Sequence, residues 1–155
     1  MNTTTPDVSQ LEDPLALEQQ VCFALAVASR NVIGVYRPLL EPLGLTHPQY
    51  LVMLALWQYQ PLSVRRLGDM LQLEPATLSP MLKRLEAAGL LRRERESGNE
   101  RALALTLTAK GWQLREEALK IPPAVVSRLG MSIAELMDLH RVLTRVIAAT
   151  QPGND

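Results

Sequence analysis

Glu-Pro-Ala-Thr-Leu-Ser-Pro-Met-Leu-Lys-Arg-Leu-Glu-Ala-Ala-Gly-Leu-Leu-Arg-Arg-Glu-Arg-Glu, residues 74–96, changes its hydrophobic period part-way along. Glu74-Pro75 reads as a helix start. Leu78, Met81, Leu82 and Leu85 then recur at three- and four-residue spacing as an inward stripe, and Gly89 supplies a left-handed stop. Thr77, Ser79, Lys83 and Arg84 lie off that stripe and can face outward. After Gly89 the period changes to that of a strand. Residues 91–96 and 102–106 flank Ser97-Gly98-Asn99-Glu100-Arg101, which predicts a two-stranded ribbon with a charged tip.

Upstream, Pro61 breaks a helix and Ser63 can cap a short one running through Leu71. Short helix, turn, helix with a polar outer face, then ribbon is the winged helix-turn-helix arrangement. Its second helix fits a major groove about 12 Å wide, and its ribbon tip reaches the adjacent minor groove. Thr77 and Ser79 are placed for base edges or phosphates, and Lys83 and Arg84 for phosphates. Arg101 at the tip suits a narrow minor groove, where negative potential is concentrated. Ser63, Arg93 and Arg95 complete the expected set of DNA-binding residues.

Working outward, Asp13-Pro14 reads as an N-cap followed by a first-turn proline. Leu17, Val21, Leu25, Ala28, Val32 and Val35 then recur until Pro38, predicting a first helix of about 24 residues. Thr46-His47-Pro48-Gln49 matches a capping box opening a second helix from Pro48 to about Gln58, apolar on most sides and so expected to be buried. Thr108 caps a fifth helix that Pro122 and Pro123 interrupt. Ser132-Ile133-Ala134-Glu135 is a second capping box. It opens a last helix with Ile133, Leu136, Leu139, Val142, Leu143 and Val146 on one face. The expected fold is mainly α with a small two-stranded wing. Residues 1–155 form a single unit: a DNA-binding lobe at about 48–107, with helices at about 13–40 and 109–150 left to form a dimer.

The chain has 155 residues, 47% of them hydrophobic and 21% charged, which suits one ordinary globular domain. Its apolar runs are too short to cross a bilayer, and its N-terminus lacks the basic and apolar regions of a secretory signal. A cytoplasmic location is expected. The formal net charge is zero, which mildly disfavours nucleic-acid binding, but residues 63–101 carry eight basic and six acidic residues. His47 and His140 lie on separate elements without clustered cysteines, so neither a metal nor a cofactor is expected.

Leu-Gly-Leu-Thr-His-Pro-Gln-Tyr-Leu-Val-Met-Leu-Ala-Leu-Trp (43–57), Leu-Lys-Arg-Leu-Glu-Ala-Ala-Gly-Leu (82–90) and Glu-Arg-Ala-Leu-Ala-Leu-Thr-Leu-Thr-Ala-Lys-Gly (100–111) resemble the MarR family of dimeric transcriptional regulators. Gln-Val-Cys-Phe-Ala-Leu (20–25) and Tyr-Arg-Pro-Leu-Leu (36–40) are similar to its organic-hydroperoxide-sensing, OhrR-type branch. The resemblance implies a repressor, not an enzyme, that leaves a palindromic double-stranded DNA operator as a homodimer when Cys22 is oxidised. The chain departs from the branch in four places. Asn99 stands where a buttressing aspartate is usual, and Glu74-Pro75-Ala76 where Asp-Ser-Gly or Asp-Ser-Ala is usual. Ala26 and His47 stand where tyrosines are usual, while Tyr36 is retained.

Cys22 is the single cysteine, so it acts as a thiol. A helix beginning at Pro14 puts it more than two turns inside, away from the N-terminal dipole, and leaves side chains to stabilise its anion. Tyr36 lies 14 residues further along, about 21 Å in a straight helix, so a contact with Cys22 requires a second subunit. His47 is a candidate second donor, or else an exposed first-turn residue. Without a resolving cysteine, the sulfenic acid from an organic hydroperoxide needs a small cellular thiol or over-oxidises. Two other readings remain: a repressor switched by a small aromatic or phenolic ligand, and, remotely, a cysteine peroxidase.

Overall fold

A computed structural model describes residues 13–96 and 99–151, without the side chains of residues 96 and 99–102. In chain order they form α1 (Val21–Leu40), α2 (His47–Tyr59), β1 (Leu62–Ser63), α3 (Val64–Leu71), α4 (Pro75–Ala87), β2 (Leu91–Glu96), β3 (Asn99–Leu107), α5 (Ala109–Ala118), α6 (Ile121–Leu129) and α7 (Ile133–Thr150). Among them no helix is long and apolar enough to cross a membrane.

Side chains in the sequence set most of these boundaries. Thr46 Oγ1 accepts from Gln49 N at 3.4 Å and Gln49 Oε1 accepts from Thr46 N at 3.0 Å, the reciprocal pair that starts α2. Ser132 and Glu135 repeat the device at α7, at 3.2 and 2.8 Å. Ser63 caps α3 through Arg66 N at 3.0 Å, and Thr108 caps α5 through Gly111 N at 3.0 Å. Gly89 ends the α4 segment at φ +74°, in the left-handed region. The proline pair Pro122–Pro123 falls in the first turn of α6 and makes it a helix separate from α5.

The wing holds one strand more than expected. The sheet is antiparallel with order β1-β3-β2, Leu62 lying opposite Leu105 and Leu91 opposite Leu107. Two residues are too few to show a period, so β1 is invisible as a pattern. It forms because Leu62 buries its side chain against the sheet's inner face.

The larger departure is at α1. Asp13 does not start a long helix: its carboxylate accepts from Leu15 N at 3.0 Å, closing one turn. Leu17–Gln19 is a 3₁₀ turn, and Gln20 donates backward to the carbonyls of Pro14 (2.8 Å) and Ala16 (3.0 Å). Gln20 itself is extended (ψ 119°), so the α-helix begins only at Val21. At the other end Pro38 lies inside α1 rather than ending it, because the helix accommodates it in its last turn.

The core is built on α2. Val52, Met53 and Leu56 are fully buried against Leu40 of α1, Leu67 of α3, Leu78 and Leu82 of α4, and Leu105 of β3. Each such side chain contributes about 1.5–3 kcal/mol through burial. In contrast, α7 buries no residue, and Ile133, Met137 and Val142 are 60%, 62% and 53% exposed. The entry to α1 is equally bare, with Leu15 at 89% and Val21 at 69%.

The lobe is closed where α5 crosses the start of β2. Trp57 Nε1 donates to Gly111 O at 2.9 Å, and a Cβ on Gly111 would overlap the Leu90 carbonyl. Gly111→Ala is therefore expected to destabilise the fold by about 3 kcal/mol, lowering Tm by roughly 6–12 °C. Thermal denaturation followed by circular dichroism measures this, and an unchanged Tm contradicts the contact.

Candidate redox site and nucleic-acid interface

Cys22 is exposed and is the second residue of α1. Ala24 N is the first amide of the helix to find a carbonyl, that of Gln20 at 3.1 Å, and no side chain caps the turn. Cys22 therefore sits where the backbone N–H groups of a helix favour negative charge. This corrects the expectation that Cys22 lies more than two turns inside its helix, and its cause is the extended Gln20.

Tyr36 and His47 do come together, although they lie on different helices. Their rings meet edge-on with centroids 5.0 Å apart and planes at 63°. Tyr50, one turn further along α2, completes the cluster at 5.9 Å from Tyr36. It was missed in the sequence, although its i+3 spacing from His47 puts it on the same helix face. Burial pushes the Tyr36 hydroxyl up from its ordinary value. Burial, followed by the neighbouring Tyr36, does the same to Tyr50. Burial holds His47 below the usual imidazole value, and its place in the first turn of α2 acts in the same direction. The cluster therefore presents neutral hydrogen-bond donors at neutral pH rather than an imidazolium. Beside it, Ile33, Arg37, Glu41 and His47 line a groove of about 540 Å³. Among the described residues Cys22 shares no contact with this cluster, in keeping with the separation along α1.

The second surface is the lobe's outer face. Thr77, Lys83 and Arg84 of α4 are exposed and Ser79 is half-buried, while Leu78, Met81, Leu82 and Leu85 point into the core. Ser63 is half-buried and used as the α3 cap. Arg95 is exposed on β2. Arg93 shares the inner face of β2 with Leu91 and turns toward α4, its Nε 3.4 Å from Glu86 Oε2. Arg92, which sequence reasoning passed over, points outward from the opposite face, as strand alternation from the buried Leu91 requires. Arg65 and Arg66 add two exposed cations on the first turn of α3. The backbone of Arg101 belongs to β3, but its side chain, together with Ser97 and Gly98, lies outside the described residues.

The model of the MarR family matches residues 45–103, the segment from Leu45 before α2 into β3. The organic hydroperoxide resistance transcriptional regulator of Bacillus subtilis is 38% identical over 142 residues, covering 92% of this chain and 97% of its own. The crystal structure of AbfR of Staphylococcus epidermidis matches with TM-score 0.70 and 35% identity, over 86% of this chain and 90% of that one. The overoxidized AbfR bound to DNA matches with TM-score 0.70 and 34% identity, over 87% and 95%.

A histidine held below its unfolded value of about 6.5 contributes stability above that pH, and the contribution is lost as pH falls toward the folded value. Denaturant melts at pH 8, 7, 6 and 5 are expected to show the stability of the native protein falling relative to His47→Gln below about pH 6.5. A pH-independent difference between the two proteins contradicts a desolvated, neutral His47.

Proposed function

The chain belongs to the MarR family of transcriptional regulators, and on that premise we propose that it is a homodimeric repressor, released from its DNA operator when an organic hydroperoxide oxidises Cys22. The observation that carries this reading is the exposed Cys22 at the uncapped start of α1. The lobe of residues 48–107 binds the palindromic operator through α4, with Thr77, Ser79, Lys83 and Arg84, and through the wing, with Arg92, Arg95 and Arg101. The bare face of α7 and the exposed entry to α1 supply the dimer surface: an amphipathic helix with no buried residue, as α7 is, requires a partner for its apolar stripe. In that dimer the Tyr36–His47–Tyr50 cluster of one protomer faces Cys22 of the other. Its hydroxyls and imidazole donate hydrogen bonds to the sulfur or to the peroxide oxygen.

The chemistry balances with one small thiol. The thiolate attacks the outer peroxide oxygen and the O–O bond breaks. Sulfur is oxidised by two electrons, and the peroxide leaves as an alcohol after taking a proton. The resulting sulfenic acid condenses with a small cellular thiol, giving a mixed disulfide and water, or is oxidised further.

The test uses a duplex enriched on the full-length protein from a random library. Cumene hydroperoxide is expected to weaken binding of the native protein by about tenfold or more, within the usual range of coupling between two sites. Cys22→Ser should bind the duplex equally well with and without peroxide. Release that is as efficient in the variant removes the redox switch.

A second reading keeps the repressor and replaces the trigger. Tyr50, Leu54, Trp57, Arg115 and Leu119 line a groove of about 410 Å³ between the lobe helix α2 and helices α5 and α6. It is apolar and aromatic, with one cation that has no ion pair among the described residues, a lining that suits a small aromatic acid. In a Cys22→Ser background, benzoate at ten times its Kd is expected to raise Tm by about 3–6 °C, and Arg115→Met to lose the shift. No shift with benzoate or phenol sinks this reading.

A further inference from the structure

At 3.6 residues per turn, the positions of α4 farthest from the stripe Leu78–Met81–Leu82–Leu85 are Ala76, Pro80, Lys83 and Ala87. All four are exposed. Thr77 and Arg84 flank this line on one side and Ser79 on the other, and Lys83 is its one charged member, so its N-terminal half is an apolar patch made by Pro80 and Ala76. Neither side chain can give or receive a hydrogen bond.

Pro80 is costly where it stands. It lies inside the helix and has no N–H to give to the Ala76 carbonyl, so α4 forgoes one of its own hydrogen bonds. Its ring is exposed and belongs neither to the core cluster nor to the hydrophobics packed against it. The helix gains nothing from it, and what its ring offers is offered outward. In the major groove, where such a face docks, each base edge presents donors and acceptors except for one apolar group, the 5-methyl of thymine.

We propose that Pro80, backed by Ala76, seats against a thymine 5-methyl and reads that base without a hydrogen bond. This inference rests on the DNA-binding reading given above and concerns which feature of the DNA is recognised. Thr77, Lys83 and Arg84 hold the helix in register through phosphates and neighbouring edges, and the Pro80–Ala76 patch distinguishes thymine from cytosine by the methyl alone. The same contact accepts 5-methylcytosine, which carries an identical methyl at the same ring position.

The duplex enriched from a random library is resynthesised with each thymine replaced in turn by deoxyuridine, which keeps every hydrogen-bonding group and loses the methyl. Binding of the full-length protein is followed by fluorescence anisotropy. At one thymine in each half-site, deoxyuridine is expected to weaken binding about fourfold, the worth of one methyl group removed from water. Cytosine at that position weakens binding as well, and 5-methylcytosine recovers the methyl's share. Pro80→Ser is expected to keep or raise the melting temperature, since α4 regains the hydrogen bond to the Ala76 carbonyl, and to bind thymine and deoxyuridine duplexes alike. The proposal is overturned if no deoxyuridine matters to the native protein, or if Pro80→Ser retains the fourfold preference. It is equally overturned if the variant loses stability and weakens on both duplexes without changing their ratio at that base, since Pro80 is then structural. Failure of the protein to enrich or bind any duplex removes the DNA reading itself, whereas an enriched site indifferent to methyl groups removes this inference alone.

Discussion

The fold depends on the burial of α2. A helix that is apolar on most sides has little face to offer solvent, so α1, α3, α4, α5 and β3 are all arranged around it. Its two ends carry specific contacts. His47 meets Tyr36 at the N-terminal end. At the other, Trp57 Nε1 holds Gly111 O at 2.9 Å and Gln60 Oε1 accepts from Leu107 N at 2.6 Å. Thirteen residues span about 20 Å, so one rigid rod joins the aromatic cluster to the root of the wing. Interiors packed at crystal-like density do not absorb a displacement locally. A shift imposed on His47 is therefore passed along α2 rather than dissipated within it.

Capping boxes, glycine stops and helix stripes were legible in the sequence because each is a local device: Thr46 with Gln49, Ser132 with Glu135, and Gly89 at positive φ all work within a few residues. Three features were not legible, each for a non-local or competing reason. β1 is two residues long and exists only because Leu105 lies opposite. Arg93 reads as a surface cation until Leu91 is known to face the core, which turns Arg93 inward to Glu86 and Arg92 outward. Asp13-Pro14 carries a strong start signal, but Gln20 Nε2 competes by bonding the Pro14 and Ala16 carbonyls, and the chain turns before it can propagate a helix. Of the proposed redox residues, Tyr36 and His47 were found through the resemblance to a family. Their closeness to Tyr50 is a product of how α1 crosses α2, which no spacing in the sequence records.

Among the described residues, the chain leaves its most extensive apolar surface at the entry to α1 and along α7. Isolated exposed leucines are ordinary, but a helix of 18 residues with none buried is not. Cys22 lies beside the first of these surfaces. On the proposed dimer, covering that surface lowers the local dielectric, excludes water and brings Tyr36 and His47 within reach. Assembly and thiol chemistry then become a single requirement, because the same association that buries Val21 and Phe23 builds the pocket.

The start of α1 at Val21 alters what the neighbours of Cys22 must provide. With a helix running from Pro14, every interaction favouring an anion at Cys22 had to come from side chains, and an alanine at position 26 removed one of them. In the observed fold no side chain caps the first turn of α1, so backbone N–H groups lie beside Cys22, and on the proposed dimer the aromatic cluster supplies neutral donors. On the proposed dimer, oxidation acts through size. Sulfenic acid and mixed disulfide are both bulkier than a thiol, and the mixed disulfide adds a whole molecule at a helix terminus that the proposed dimer packs against a partner. Since His47 begins α2, displacing the cluster to make room would move the helix whose far end is fastened to α5 and β3.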